Sequence, residues 1–74
     1  MGGDKMNGLI KITLRSARVN AGLNQKEAAD RLHIGVSTLQ GYEKGKRMPR
    51  WDVVLRIQRV YGIPYEHLIF DMAG

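Results

Sequence analysis

An all-α domain of five short helices is the fold class this sequence predicts, and three observations predict it. The chain has 74 residues, enough for one domain and no second. Apolar residues recur at helical spacing, in stretches cut by Gly22, Gly45, Pro49, Gly62 and Pro64. No convincing strand stands out: Leu9-Ile10-Lys11-Ile12-Thr13-Leu14 alternates briefly, then gives way to a helical period. Residues 1–9 are expected to form a flexible leader and 10–71 the single domain.

The first helix is expected at about residues 11–21, with Leu14 and Ala17 inward and Ile10 or Ala21 at its flanks. Gly22 stops it. The second covers about 25–32. Asn24 is its N-cap, and Glu27 three residues on completes a capping box. Ala28, Ala29 and Leu32 form its apolar stripe, and the two alanines let a neighbouring helix approach closely. After His33-Ile34-Gly35, a third helix is expected at 36–44 with Leu39 and Tyr42 inward. Its outer face, Val36, Ser37, Gln40 and Gly41, is small and uncharged, unlike the lysine and glutamate of a solvated face. Gly41 costs about 1 kcal/mol against alanine in mid-helix, so something needs close access there. The fourth helix, 51–61, carries Val54, Leu55, Ile57, Val60 and Tyr61 on a wide apolar arc. Pro64 opens a fifth, at 64–70, with Leu68 in the core.

Composition narrows the function classes. The chain has no cysteine, which excludes disulfides and thiolate zinc sites, and its two histidines, His33 and His67, are too few for a metal site without nearby carboxylates. No metal and no cofactor are expected. No stretch approaches the ~20 apolar residues of a membrane span, and the start lacks the pattern of a signal peptide. A cytoplasmic location is expected. Net charge is +5, unevenly spread. Residues 10–50 hold nine cations against three anions, whereas residues 51–74 hold two against three. The loop Lys44-Gly45-Lys46-Arg47-Met48-Pro49-Arg50 has four cations and no anion. A basic face of this kind suits nucleic acid. No acid/base pair, activated nucleophile, metal cluster or phosphate-cradling glycine loop is visible, so no enzyme is expected.

Two helices joined by a three-residue turn make a helix-turn-helix pattern. The residues filling it resemble the Cro and phage-repressor (Xre-type) family of DNA-binding domains, whose fold is lambda-repressor-like. The carrying pieces are Leu14-Arg15-x-x-Arg18, Gly22-Leu23-Asn24-Gln25-x-Glu27-x-Ala29, Leu32-x-Ile34-x-x-Ser37-Thr38-Leu39 and Tyr42-Glu43-x-Gly45-Lys46. Pro49 and the run from Ile57 through Gly62-Ile63 to Leu68 complete the set. The likeness covers about residues 10–70. Three positions depart from the family. His33 stands where members usually have a turn glycine, Gly35 where the cap is often serine or threonine, and Gly41 where a base-contacting residue often sits.

The resemblance implies a sequence-specific double-stranded DNA-binding transcriptional regulator, a repressor of phage, prophage or mobile-element type. It would read the major groove with the third helix. Base readout is expected from Val36, Ser37, Thr38 and Gln40, and backbone contact from Gln25, Lys26, Lys46, Arg47 and Arg50, with Arg15 and Arg18 as further candidates. Gln25 takes its phosphate role from the family, at a helix start that itself favours an anion. Arg18 and Glu43 are expected, again from the family, to form a buried ion pair between the first and third helices. Trp51 and Tyr42 are expected in core or loop packing, Met48 in loop packing, and Tyr61 in the core. One short helix cannot turn Leu68, Ile69 and Phe70 all inward. Tyr65, Ile69 and Phe70 are therefore expected at a homodimer interface, formed in solution or only on a palindromic operator with half-sites about 34 Å apart. No small-molecule ligand and no membrane partner are implied. A protein-interaction module of the same fold, such as an antitoxin or adaptor, is the competing reading.

Overall fold

The computed structural model describes residues 11–70. The expected leader at 1–9, Ile10 and Asp71 lie outside the described residues. The chain runs through β1 (Ile12–Thr13), α1 (Leu14–Asn20), α2 (Gln25–Leu32), α3 (Val36–Glu43), α4 (Trp51–Tyr61), a 3-10 turn (Tyr65–His67) and β2 (Leu68–Ile69). The two short strands pair in parallel, Ile12 opposite Leu68 and Thr13 opposite Ile69.

Local chemistry sets the helix ends. Thr13 caps α1, its Oγ1 accepting from the Ser16 N–H at 3.0 Å, which is why α1 starts at Leu14 and not at 11. Asn24 caps α2. Its Oδ1 accepts from the Glu27 N–H at 2.7 Å, and Glu27 Oε1 accepts from the Asn24 N–H at 2.9 Å. This satisfies two of the donors a helix start leaves open. His33 closes α2 in the left-handed region, at φ 60 and ψ 43, the turn position where a glycine would be unstrained. Gly35 caps α3 without a side-chain hydrogen bond. α3 ends at Glu43, with Lys44 as its C-cap.

The core lies where the four helices meet. Leu32, Leu39 and Ile57 are fully buried, and Leu14, Ala17, Leu23, Ala28, Ala29, Val53, Tyr61 and Leu68 pack around them. Ala28 and Ala29 are closed off completely or nearly so. They lie where α2 packs against α3 and α4, so their smallness sets the close approach that holds the helix-turn-helix rigid.

Two expectations about the elements are corrected. Residues 64–70 form no fifth α-helix. After Pro64 the chain makes one 3-10 turn, and Leu68–Ile69 are extended. Leu68-Ile69-Phe70 is a short apolar run whose period does not distinguish helix from strand; pairing with Ile12 decides it. The same pairing corrects the reading that no strand is present. On α4 the buried stripe is Val53, Val54, Ile57 and Tyr61, with Val60 half-buried. Leu55 falls off that stripe and is exposed. Ala21, placed at the inner flank of α1, is also exposed.

Candidate nucleic-acid interface

α3 is held at the surface by its buried edge. Leu39 anchors it in the core and Tyr42 packs half-buried beside Leu39. The opposite face carries Val36, 37% exposed, and exposed Ser37. Thr38 and Gln40 are half-buried at its margins. The side chains that α3 itself sets on this face carry no charge and are small around Ser37, so a base edge can approach there.

A chain of polar side chains ties this face to the body of the domain. Arg18 rises from α1 and grips Glu43 at the end of α3. Nε donates to Oε2 at 2.7 Å and Nη2 to Oε1 at 3.2 Å. Nη1 donates to the Leu23 carbonyl at 3.0 Å. The two side chains are only 9% and 5% exposed. The hydrogen bond to Glu43 raises the Arg18 pKa above its ordinary value, against the opposing effect of burial. Glu43 Oε1 also accepts from Gln25 Nε2 at 3.1 Å, and Gln25 Oε1 accepts from Gln40 Nε2 at 3.1 Å. The first residue of α2 thus bridges the ion pair to a side chain on the outer part of α3. An amide carries one acceptor and two donors. Gln40 commits one donor to Gln25 and keeps its carbonyl and second N–H for an outside partner.

Beside this chain lies Tyr61, whose buried hydroxyl has no hydrogen-bond partner among the described residues. Burial, then the Glu43 charge, pushes its pKa up to about 12, with Arg18 opposing.

Exposed cations flank α3 along the chain. Lys26 is exposed in the first turn of α2, where the helix dipole adds positive potential. Lys46, Arg47 and Arg50 are exposed in the α3–α4 loop, Arg50 as the N-cap of α4. The loop is tied back to α3. Lys46 N–H and Arg47 N–H both donate to the Gly41 carbonyl, at 2.9 and 3.3 Å. The Arg47 side chain lies over Gly41. A Cβ at position 41 would stand 2.9 Å from Arg47 Cδ and 3.1 Å from Cγ. Arg15 is exposed on α1.

Sequence reasoning alone missed two of these arrangements, the Gln40–Gln25–Glu43 relay and the seat of Arg47 on Gly41. Only the anomaly of a mid-helix glycine signalled the second. Trp51 is 57% exposed, so it is no core residue, and Met48 in the loop is 53% exposed. The Trp51 ring meets the Tyr65 ring edge-on, with centroids 5.0 Å apart. Of the three residues expected at a dimer interface, Tyr65 and Ile69 are exposed, whereas Phe70 is half-buried against the core.

Among the described residues no group of histidine, cysteine and carboxylate side chains could hold a metal. None of their helices is long and apolar enough to cross a membrane.

Comparison with known proteins bears on the same elements. The family model of the helix-turn-helix domain matches residues 12–68. The cryptic phage CTXphi transcriptional repressor RstR of Vibrio cholerae is 36% identical over 58 residues, covering 78% of this chain and 52% of that protein. The HTH-type transcriptional regulator ImmR of Bacillus subtilis (strain 168) is 39% identical over 56 residues, covering 76% of this chain and 44% of that protein. The chain therefore spans about half the length of the curated relatives it matches. No solved structure gives a significant match. The matched span includes α1 to α4 and the turn that presents α3, and the chain belongs to the helix-turn-helix domain family, of the Cro and phage-repressor type.

Proposed function

We propose that this chain is a sequence-specific double-stranded DNA-binding transcriptional regulator, a repressor of phage or mobile-element type, acting in the cytoplasm. The observation that carries the reading is the outer face of α3, whose own side chains are uncharged, followed by an exposed basic loop and braced by the Arg18–Glu43–Gln25–Gln40 chain. The phage repressor and the transcriptional regulator similar to it support the reading. Lys26, Lys46 and Arg50 contact phosphates and set the register, and Gln25 adds a hydrogen bond at the start of α2. Val36 meets a thymine methyl. Ser37 and Thr38 reach base edges. Gln40 pairs with adenine N6 and N7 through the carbonyl and N–H that Gln25 leaves unused.

The protein binds a palindromic operator as a homodimer, through a patch including Tyr65 and Ile69 with Phe70 at its edge. Exposed apolar side chains at one end of a small domain, in its least basic segment, support that reading.

Selection of bound duplexes from a random pool, followed by a salt titration, tests the function. A single motif with affinity falling steeply with salt is expected. Gln40→Ala should flatten one motif column, at about 1–3 kcal/mol on the best site. A chain that enriches no motif, and binds random DNA no better at low salt, is no regulator of this kind. A motif lacking two-fold symmetry would remove the palindromic dimer and leave DNA binding standing.

A further inference from the structure

Gly41 is a helix-interior glycine that conformational freedom does not explain. It is absent from the positive-φ glycines, which are Gly22, Gly45 and Gly62. What it provides is room. The Arg47 stem runs directly over it, with Cδ, Cγ and Cβ at 2.9, 3.1 and 3.7 Å from where a side chain would begin. The Arg47 backbone N–H is tied to the Gly41 carbonyl at 3.3 Å as well. Position 41 lies one turn from Ser37 on the face of α3 that carries the readout residues. Arg47 is exposed and makes no ion pair with a carboxylate among the described residues.

A phosphate contact needs none of this. Phosphate can be met by a mobile charge on a flexible stem, as lysine supplies elsewhere in the loop. A stem laid over a helix glycine is different: its course is set by the contact with the helix, and the planar guanidinium is carried beyond it. A fixed fork is what bidentate recognition of two acceptors on one base edge requires.

We propose that Gly41 and Arg47 form one reading unit, in which the arginine crosses the helix at the glycine and donates to O6 and N7 of a guanine in the major groove. Arg47 is then a specificity-determining residue, and not a backbone contact like its neighbours. The α3–α4 loop supplies the base contact that position 41 itself cannot make. The inference rests on the DNA-binding reading above.

The test is duplex selection on the parent chain, Arg47→Ala, Gly41→Ala and the double variant, with thermal melts of each. The parent is expected to show guanine at one column. Arg47→Ala should flatten that column, leave the others, and weaken the best site roughly 5- to 150-fold against little change on a site already lacking the guanine. Gly41→Ala adds one methyl group and a better helix former. It should flatten the same column with the melting temperature unchanged or raised, and should add nothing in the Arg47→Ala background. An Arg47→Ala motif with every column intact, a uniform affinity loss and a salt slope lower by about one would make Arg47 a phosphate contact and overturn the proposal. A flattened column in Arg47→Ala beside an intact one in Gly41→Ala would overturn the shared unit. If the parent selects no motif, the DNA-binding reading itself fails and this inference goes with it.

Discussion

Replacing Glu43 by alanine removes the hub of the polar chain. Arg18 then loses its Nε and Nη2 partners and keeps only the Leu23 carbonyl. Its side chain is 9% exposed, so water cannot take over the charge without a local opening. Gln25 loses its acceptor in the same step. Removing one partner of a buried pair costs about 3–5 kcal/mol, most of it the stranded charge. A domain of this size has roughly 4–11 kcal/mol of total stability, so Glu43→Ala should lose a quarter of it or more. Glu43→Gln keeps the shape and one acceptor and should fall between. Arg18→Met with Glu43→Leu leaves no stranded charge and should regain most of the loss. Urea denaturation followed by far-ultraviolet circular dichroism measures all four chains. A loss below ~0.5 kcal/mol for Glu43→Ala, the worth of an exposed pair, would refute the reasoning.

His33→Gly should raise stability by about 0.5–1 kcal/mol in the same urea assay, because glycine occupies the left-handed region without strain while giving back some chain entropy. Asn24→Ala should cost about 1 kcal/mol, since the Glu27 N–H loses its Oδ1 acceptor while the backbone N–H of residue 24 keeps the Glu27 carboxylate. Tyr61 governs alkaline behaviour. Its pKa is near 10 unfolded and about 12 folded, so above pH ~10 the unfolded chain loses the proton first and stability falls with rising pH, by up to roughly 2–3 kcal/mol by pH ~12. Below pH ~10 this contribution is complete. Tyr61→Phe should flatten that slope relative to the parent, and an unchanged slope would clear Tyr61 of it.

How far the sequence reached depended on how local each feature is. The ends of α2 were readable because Asn24 and Glu27 act within one turn. His33 was readable as a turn residue because its tolerance of positive φ is intrinsic. The fate of Leu68-Ile69-Phe70 was not, because a pairing between distant segments decides it; the start of α1 was a local signal passed over, the Thr13 cap on Ser16. Arg18 opposite Glu43 came through the family resemblance, and nothing in their spacing along the chain implies it. The roles of Gln25 and Gln40 as links to that pair needed three helices in place. Leu55 was misplaced and Val53 overlooked because a wide apolar arc does not say which edge meets the core.

The pairing of Ile12 with Leu68 also turns the described chain into a ring in the topological sense. What enters the domain and what leaves it run side by side, so a polypeptide attached at one end begins next to whatever is attached at the other. A pull on both ends loads the two-residue bridge before it loads the helices, so β1 and β2 would part while α2 and α3 keep their geometry. The same adjacency favours circular permutation: a short linker across the gap and a new opening at the exposed Ala21–Gly22 turn leave every helix uncut.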